Sequence, residues 1–273
     1  MRRALVALDE SVDVVDWDDP TVDWSRFRAA VIRSTWNYQY DPTAFLAWVR
    51  RAAEVTRVVN PPDVVTWNLD KRYLNELRLV GFPVIDTTFI TTVNETAFVD
   101  LGGDVVVKPT VSAGSNDTGR YRGDANAARA HVTSLLASGR VAMVQPYDPD
   151  IDALAETGVV CVGGEVSHAF AKSAILAGAL AAHNGLFVEE TIVPRQPVPV
   201  EVELANAVLK VLSTRFGAPL AYARIDMVGG SVGRPRIMEV ELIEPSLFVE
   251  TDPRAAERVA RAFVTAAGPK AHR

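Results

Sequence analysis

From Ala223 to Phe248 the chain carries two short apolar runs on either side of a Gly-rich turn, Gly229 to Pro235. That pattern predicts a β-hairpin. If Val228 pairs with Ile237, period-two alternation sets Asp226 opposite Glu239 and Arg224 opposite Glu241, and gathers Ile225, Met227, Met238, Val240 and Leu242 on the other face. Carboxylates facing each other across a strand pair repel, and a half-buried charge is costly unless paired, so the polar face asks for a cation. A Mg²⁺ ion held by one or two of these acids together with nucleotide phosphates would meet the demand. The spacing also allows the solvated outer face of an edge hairpin, with Arg224 neutralising a neighbour.

The rest of the chain is long enough, at 273 residues, to build more than one lobe around this hairpin. A net charge of −6 and a pI near 5.3 give no support for a nucleic-acid partner or a polybasic membrane contact. The single cysteine, Cys161, excludes an internal disulfide framework and reads as a small buried hydrophobe. No apolar run is long enough to span a bilayer, and the run near the N-terminus is too short for a signal segment. A cytoplasmic protein is the expectation, with a homodimer as the commonest assembly for such a chain.

Ala4 to Leu8 and Ala29 to Arg33 read as short buried strands. Arg33-Ser-Thr-Trp-Asn-Tyr38 then lies past the carboxyl end of a strand, where open α/β sheets present residues to a ligand. Arg33 could grip a carboxylate or phosphate there, or pair with a surface acid. A helix is predicted from about Pro42 to Glu54, a strand over Val58 to Asn60, and a helix from Asn68 with Leu69, Tyr73, Leu77 and Val80 inward and Gly81 as its stop. Lys71 would sit in the first turn of that helix, against the dipole, as if to meet an anion. Asp104 to Pro109 is a buried strand ending near Lys108, and the small residues of Thr110 to Gly119, including Ser112, Gly114 and Ser115, could cradle a phosphate or merely mark a turn.

Ala125 to Ser138 reads as a helix, and Val141 to Asp148 as a strand leading into an acidic hinge. Thr157 to Val162 and Glu165 to Lys172 read as an antiparallel pair turned at Gly163-Gly164. Ser173 to Pro199 has no clean periodicity and is expected to be a mobile loop over a site. Val202 to Phe216 is a helix with Leu204, Val208, Val211 and Leu212 inward. Asp252 would cap a final helix, with Pro253 first, ending near Ala267. The four histidines, His131, His168, His183 and His272, lack metal-ligand spacing; His168, near Lys172, is the one with a functional alternative.

Taken together, the order of these parts resembles the ATP-grasp superfamily, in its bacterial glutathione-synthetase-like branch, and within it the D-cycloserine-forming O-ureidoserine cyclo-ligase type. The resemblance runs from Arg33-Ser-Thr-Trp-Asn-Tyr38 to Ile243-Glu-Pro-Ser-Leu-Phe248. It implies an α/β and α+β architecture: an N-terminal βα lobe over residues 1–83 on the substrate side, a small lid subdomain over 84–148, and a C-terminal subdomain over 149–273 with the metal site. It further implies that Lys71, Lys108 and the loop with Ser112, Gly114 and Ser115 contact nucleotide phosphates. Gln145, Pro146, Tyr147 and Asp148 would form the adenine hinge, and Glu156 would face the ribose. Lys172 and Arg224 would neutralise the transferred phosphoryl group, Asp226, Glu239 and Glu241 would hold Mg²⁺, and Arg33 would anchor a small amino-acid-derived substrate.

Two departures from the family pattern stand out. Glu241 replaces an asparagine common at the last metal position, and the basic residue that glutathione synthetases often place after the ribose acid is missing. The implied activity is an ADP-forming carbon–nitrogen ligase using ATP and Mg²⁺, with an acyl phosphate captured by a nitrogen nucleophile of the same or another molecule. A catalytically silent ATP-binding protein and a kinase that stops at phosphoryl transfer are the alternatives.

Overall fold

In the computed structural model, residues 1–173 and 191–270 are described. Among them three sheets form, and their order along the chain organises the fold. The first segment holds α1 (Arg2–Val6), β1 (Ala29–Val31), α2 (Pro42–Val55), β2 (Arg57–Val59), α3 (Pro62–Asn68) and α4 (Tyr73–Leu79), with β1 and β2 parallel. The second holds β3 (Thr88–Ile90), β4 (Asp104–Pro109), β5 (Gly119–Arg122), α5 (Ala125–Ala137) and β6 (Ala142–Pro146), in a sheet ordered β3-β6-β4-β5 with α5 packed on it. The third holds α6 (Asp150–Leu154), β7 (Glu156–Val162), β8 (Glu165–Lys172), β9 (Ile192–Arg195), α7 (Pro199–Phe216), β10 (Tyr222–Val228), β11 (Arg236–Glu241) and α8 (Ala255–Ala267), its sheet running β11-β10-β7-β8-β9. No helix among the described residues is long and apolar enough to cross a membrane.

The hairpin β10–β11 forms with Arg224 opposite Glu241 and Asp226 opposite Glu239, as alternation predicts. Beyond Asp226 the register slips, so that Met227 faces Ile237 and Val228 faces Arg236. Met238 is the extra residue of this bulge. The cause lies outside the hairpin: the Ile237 amide donates to Pro83 O at 2.7 Å, and the Ile85 amide donates to Ile237 O at 3.0 Å. Ile237 therefore takes the core position that the sequence assigned to Met238, joining Ile225, Met227, Val240 and Leu242, while Met238 faces a cavity. That core is closed by Val64, Leu74 and Leu77 of α3 and α4 and by Leu204, Val208 and Leu212 of α7.

Several sequence expectations are corrected. Ala4–Leu8 lies in and just after helix α1 instead of forming a strand; a five-residue apolar run does not distinguish the two, and Leu5 packs beside Val259 and Phe263 of α8. The helix expected from Asn68 to Gly81 is broken. Asp70 Oδ1 accepts the Arg72 amide at 3.0 Å and Thr110 O accepts the Lys71 amide at 2.9 Å, so both N–H groups leave the helical ladder. Asn68 ends α3, Lys71 lies in the turn before α4, and Val80 is exposed. Val211 is also outward, and α8 starts at Ala255, with Asp252 Oδ1 accepting from the Arg254 amide just ahead of it. Of the loop expected from Ser173 to Pro199, residues 174–190 lie outside the described residues, as do His183 and His272. Ile192–Arg195 pairs with β8 as an edge strand.

The first segment is fastened to the hairpin by side chains that satisfy backbone groups. Asn60, 1% exposed, donates from Nδ2 to Tyr222 O and Leu242 O, both at 2.9 Å, and its Oδ1 accepts the Ala221 amide at 3.0 Å. Asn68 bonds Val240 O and the Leu242 amide, and the Tyr73 hydroxyl bonds both polar groups of Val240. Replacing Asn60→Ala strands buried backbone groups that water cannot reach, so it should destabilise the fold by roughly 3 kcal/mol, read as a lower urea midpoint at an unchanged m-value.

Candidate active site

The three segments enclose one cleft. Its walls include Lys71, Lys108, Ser112, Gly114, Ser115, Gln145, Pro146, Tyr147, Asp148, Glu156, Lys172, Arg224, Asp226, Glu239 and Glu241. The site residues expected from the sequence thus come together, with one exception. Arg33 is absent from the lining; it lies behind it, its guanidinium 5.9 Å from the centre of the Tyr222 ring and its Nη1 buried without a hydrogen-bond partner.

β10 carries two deeply buried charges of the cleft. Arg224, 6% exposed, donates from Nε and Nη2 to the two oxygens of Asp226, each at 2.7 Å, and also binds Glu241 and Ser246 O. Asp226 is itself 2% exposed. Two residues apart on one strand, the pair shares a face, and Glu241 reaches the same guanidinium from the facing position of β11. Burial raises the Arg224 cost of carrying charge, yet Asp226 and Glu241 more than offset it and hold its pKa well above the ordinary value.

Lys71 stands at the junction with the second segment. Its Nζ donates to Ser112 O at 2.8 Å and Ser112 Oγ at 3.2 Å, and lies 3.2 Å from Glu239 Oε1. Gln39 Oε1 accepts from the Ala113 amide and from Asn116 Nδ2, so two contacts from the first segment hold the small-residue loop. Burial pushes Lys108 below its usual value, partly countered by Glu239. Burial would push Glu239 up, but the Lys71 and Lys108 ammonium groups prevail and its pKa falls. Lys172 Nζ sits 2.8 Å from Glu156, whose pKa burial lifts to about 7 against that pairing.

The other end of the cleft is apolar and rigid. Val106 pairs with Gln145 across β4 and β6, and Ile85, Ile151 and Met238 add further apolar lining. Gln145 Nε2 is committed to Thr87 Oγ1 at 2.9 Å, and the Tyr147 amide to Asp104 O at 2.7 Å. Arg236 binds Asp148 and Asp150, while Arg120 binds Asp104 and Asp152 and stacks on the Tyr147 ring. The hinge is thereby braced from both neighbouring sheets. Sequence reasoning missed Arg236 and Arg120, since their partners are distant in the chain.

It also missed Glu244. This residue lies in the cleft wall, 8% exposed, with the Tyr38 hydroxyl as a neighbour. Burial lifts its pKa to about 7, against the lowering influence of Tyr38, Lys71 and Arg33. Its place in Ile-Glu-Pro-Ser, just past an acidic strand, was the available signal. Among the described residues no three His, Cys, Asp or Glu side chains form a ready metal cage. Asp226 gives both oxygens to Arg224, and Glu239 and Glu241, one-quarter exposed, are the acids with surface left to offer. That donor set suits Mg²⁺, which takes one or two carboxylates and completes its shell from phosphates and water.

A lid sheet, a five-stranded sheet and a basic and acidic cleft between them define an ATP-grasp ligase. Residues 1–60 match the family described as "D-cycloserine synthetase DcsG, N-terminal domain". The chain is 37% identical over 267 residues to the cycloserine biosynthesis protein DcsG of Streptomyces lavendulae, covering 93% of this chain and 88% of that protein. It superposes on the crystal structure of D-cycloserine synthetase DcsG with a TM-score of 0.86 at 35% identity, over 97% of this chain and 92% of the other. The ATP-grasp ligase PsnB with Mg and ADP, 17% identical, shares the fold at a TM-score of 0.63 over 97% of this chain and 93% of its own. The chain belongs to the DcsG family of ATP-grasp ligases.

The Glu244 environment has a measurable consequence. A carboxyl group whose native pKa lies above its unfolded value near 4.5 contributes stability that is fully present below that value and lost as pH rises through about 7. Unfolding free energy should therefore decline across this window, and Glu244→Gln should make the decline shallower, as read from urea titrations at a series of pH values.

Proposed function

We propose that the protein uses ATP and Mg²⁺ to activate the carboxylate of a small amino-acid derivative and join it to a nitrogen nucleophile, forming ADP. The observation that carries this is the convergence of Lys71, Lys108, Lys172 and Arg224 with Asp226, Glu239 and Glu241 in a single cleft beside an apolar hinge. The DcsG relatives are named for D-cycloserine synthesis, which favours ring closure, with carboxylate and nitrogen in one substrate; the resemblance read from the sequence makes that substrate one of the O-ureidoserine type. We assign substrate capture to residues 1–83, the lid to 84–148 and the main catalytic wall to 149–273.

In this reading the apolar slot beside Gln145, Pro146 and Tyr147 receives adenine, and Glu156 faces the ribose. Lys71, Lys108 and the loop with Ser112, Gly114 and Ser115 hold the phosphates through ammonium and backbone N–H groups. Glu239 and Glu241, backed by Asp226, would hold Mg²⁺, which supplies charge neutralisation on the phosphate oxygens when bound. A substrate carboxylate oxygen attacks the γ-phosphorus as its bond to the ADP oxygen breaks. The nitrogen then attacks the acyl carbon, inorganic phosphate leaves with the bonding electrons, and the nitrogen loses a proton. Arg224 and Lys172 are placed to stabilise negative charge on the phosphoryl oxygens, and exclusion of water protects the acyl phosphate. Arg33, with its unpartnered Nη1, is the candidate anchor for the substrate from behind the lining.

Purified protein incubated with ATP, Mg²⁺ and O-ureidoserine should release ADP together with a cyclised amide. ADP with a stable phosphorylated product would indicate a kinase, and no turnover a silent binder. Glu239→Gln should lower turnover at least about 100-fold while leaving the circular dichroism spectrum unchanged. Wild-type rates in that variant would overturn the assignment of Glu239.

A further inference from the structure

Six carboxylates line the cleft, and five have a cationic partner within it or at its edge. Asp148 pairs with Arg236 at 2.6 Å, Glu156 with Lys172 at 2.8 Å, Asp226 with Arg224 at 2.7 Å, Glu239 with Lys71 at 3.2 Å, and Glu241 with Arg224. Glu244 is the exception: among the described residues it has no ion pair, although it is 8% exposed. The hydroxyl of Tyr38, a neutral group on a side chain itself 5% exposed, is its polar neighbour in the cleft wall. Lys71 and Arg33 act on it only across longer distances.

A buried carboxylate without a counter-ion is expensive unless something else completes it. We infer that Glu244 receives the ammonium group of the amino-acid substrate, with Tyr38 fixing the carboxylate's orientation. This deepens the ligase reading above and rests on it. Three features favour an ammonium over a second metal ion. Trp36 and Tyr38 line this part of the cleft, and aromatic walls suit an organic cation. The neutral Tyr38 hydroxyl borders the carboxylate, a setting that suits the directed N–H bonds of an ammonium group rather than a hydrated octahedral ion. Arg33, half-buried, with its Nη1 buried and unpartnered among the described residues and within electrostatic reach of Glu244, makes this end of the cleft complementary to a ligand bearing both charges.

The position also fits the chemistry. Glu244 follows β11 by three residues, and Ser246 O, two residues further, accepts from Arg224 Nη1 at 3.1 Å. An ammonium at Glu244 therefore lies close along the chain to the loop that Arg224 holds, whereas Gln145 to Asp148 belong to and follow β6 of the other sheet. Glu244 would select substrates that carry the amino group and turn their carboxylate toward the phosphoryl-binding cations. It is a specificity residue and takes no part in bond making.

The test is calorimetric titration of the full-length protein, loaded with Mg²⁺ and a non-hydrolysable ATP analogue. The probes are O-ureidoserine and its desamino analogue, 3-(ureidooxy)propanoate. Wild type should bind the amino-bearing probe roughly 100-fold more tightly. Glu244→Gln should bring the two affinities to within a few-fold by weakening the amino-bearing probe alone, with affinity for the nucleotide analogue unchanged. Tyr38→Phe, which keeps the carboxylate, should weaken discrimination by a smaller factor. Discrimination that survives Glu244→Gln, equal weakening of both probes, or no binding of the amino-bearing probe would each overturn the assignment. Parallel ADP-release assays separate this outcome from the activity itself: selective binding without turnover would sink the ligase reading and leave the ammonium site standing.

Discussion

The bidentate contact between Arg224 and Asp226 is the interaction on which the cleft depends. Both groups are almost completely removed from water, and neither could remain charged there alone. Deleting one partner of such a pair typically costs about 3–5 kcal/mol because the other is left as an isolated buried charge. The same guanidinium is shared with Glu241 and with Ser246 O, so it also fixes the end of β11 and the start of the following loop. A scaffold that selected only for stability would fill this volume with apolar side chains. Retaining four charged groups around β10 and β11 makes sense where the cleft must handle a highly charged ligand.

That charge cluster can be held only because the hairpin cannot slip. A one-residue shift would send Asp226 and Arg224 into the core and bring Ile225 and Met227 out. The register is secured on its polar side by cross-strand ion pairs and on its apolar side by the core. It is secured along the backbone by Asn60, Asn68, Tyr73 and Tyr222. The single Tyr222 hydroxyl lies within hydrogen-bond distance of Ile32 O, Val59 O and Ile243 O and can donate its one proton to any of them, so it sits where the ends of β1 and β2 meet the segment after β11. The first segment is thus part of the site's frame, even though Lys71, Asn68, Trp36 and Tyr38 are among its few contributions to the cleft surface.

How much of this was legible in the sequence follows from how local each determinant is. The pairing of Asp226 with Glu239 and of Arg224 with Glu241 depends only on alternation and a short turn, and it is found as read. The bulge at Met238 is set by segment 83–85, more than 150 residues earlier, and no periodicity within the hairpin encodes it. The break at Lys71 has the same character: Thr110 O removes one helical donor, and the helical pattern of Leu69, Tyr73 and Leu77 survives on either side. Short apolar runs such as Ala4–Leu8 carry too few residues to reveal their period. Glu244 went unread because it sits in an irregular segment, and the braces Arg120 and Arg236 because their acidic partners lie on other elements distant in the chain.

Charge balance links these features to the ligand. Within the cleft wall, Lys71, Lys108, Lys172 and Arg224 supply four positive groups, and Glu156, Asp226, Glu239, Glu241 and Glu244 five negative ones; Asp148 is balanced separately by Arg236. Burial raises the pKa of Glu156 and Glu244 to about 7 and that of Glu241 to about 8, so near neutral pH the charge of this densely ionic cleft is set by how far these acids are protonated. A nucleoside triphosphate adds several negative charges at once, more than these four cations, three of them already paired with carboxylates, can neutralise. Divalent cation arriving with the phosphates restores the balance. In the proposed substrate complex an ammonium group does the same for Glu244, the cleft acid that has no ion pair among the described residues. On this view the carboxylate excess is the means by which the cleft accepts its charged ligands together and remains closed to an anion entering alone.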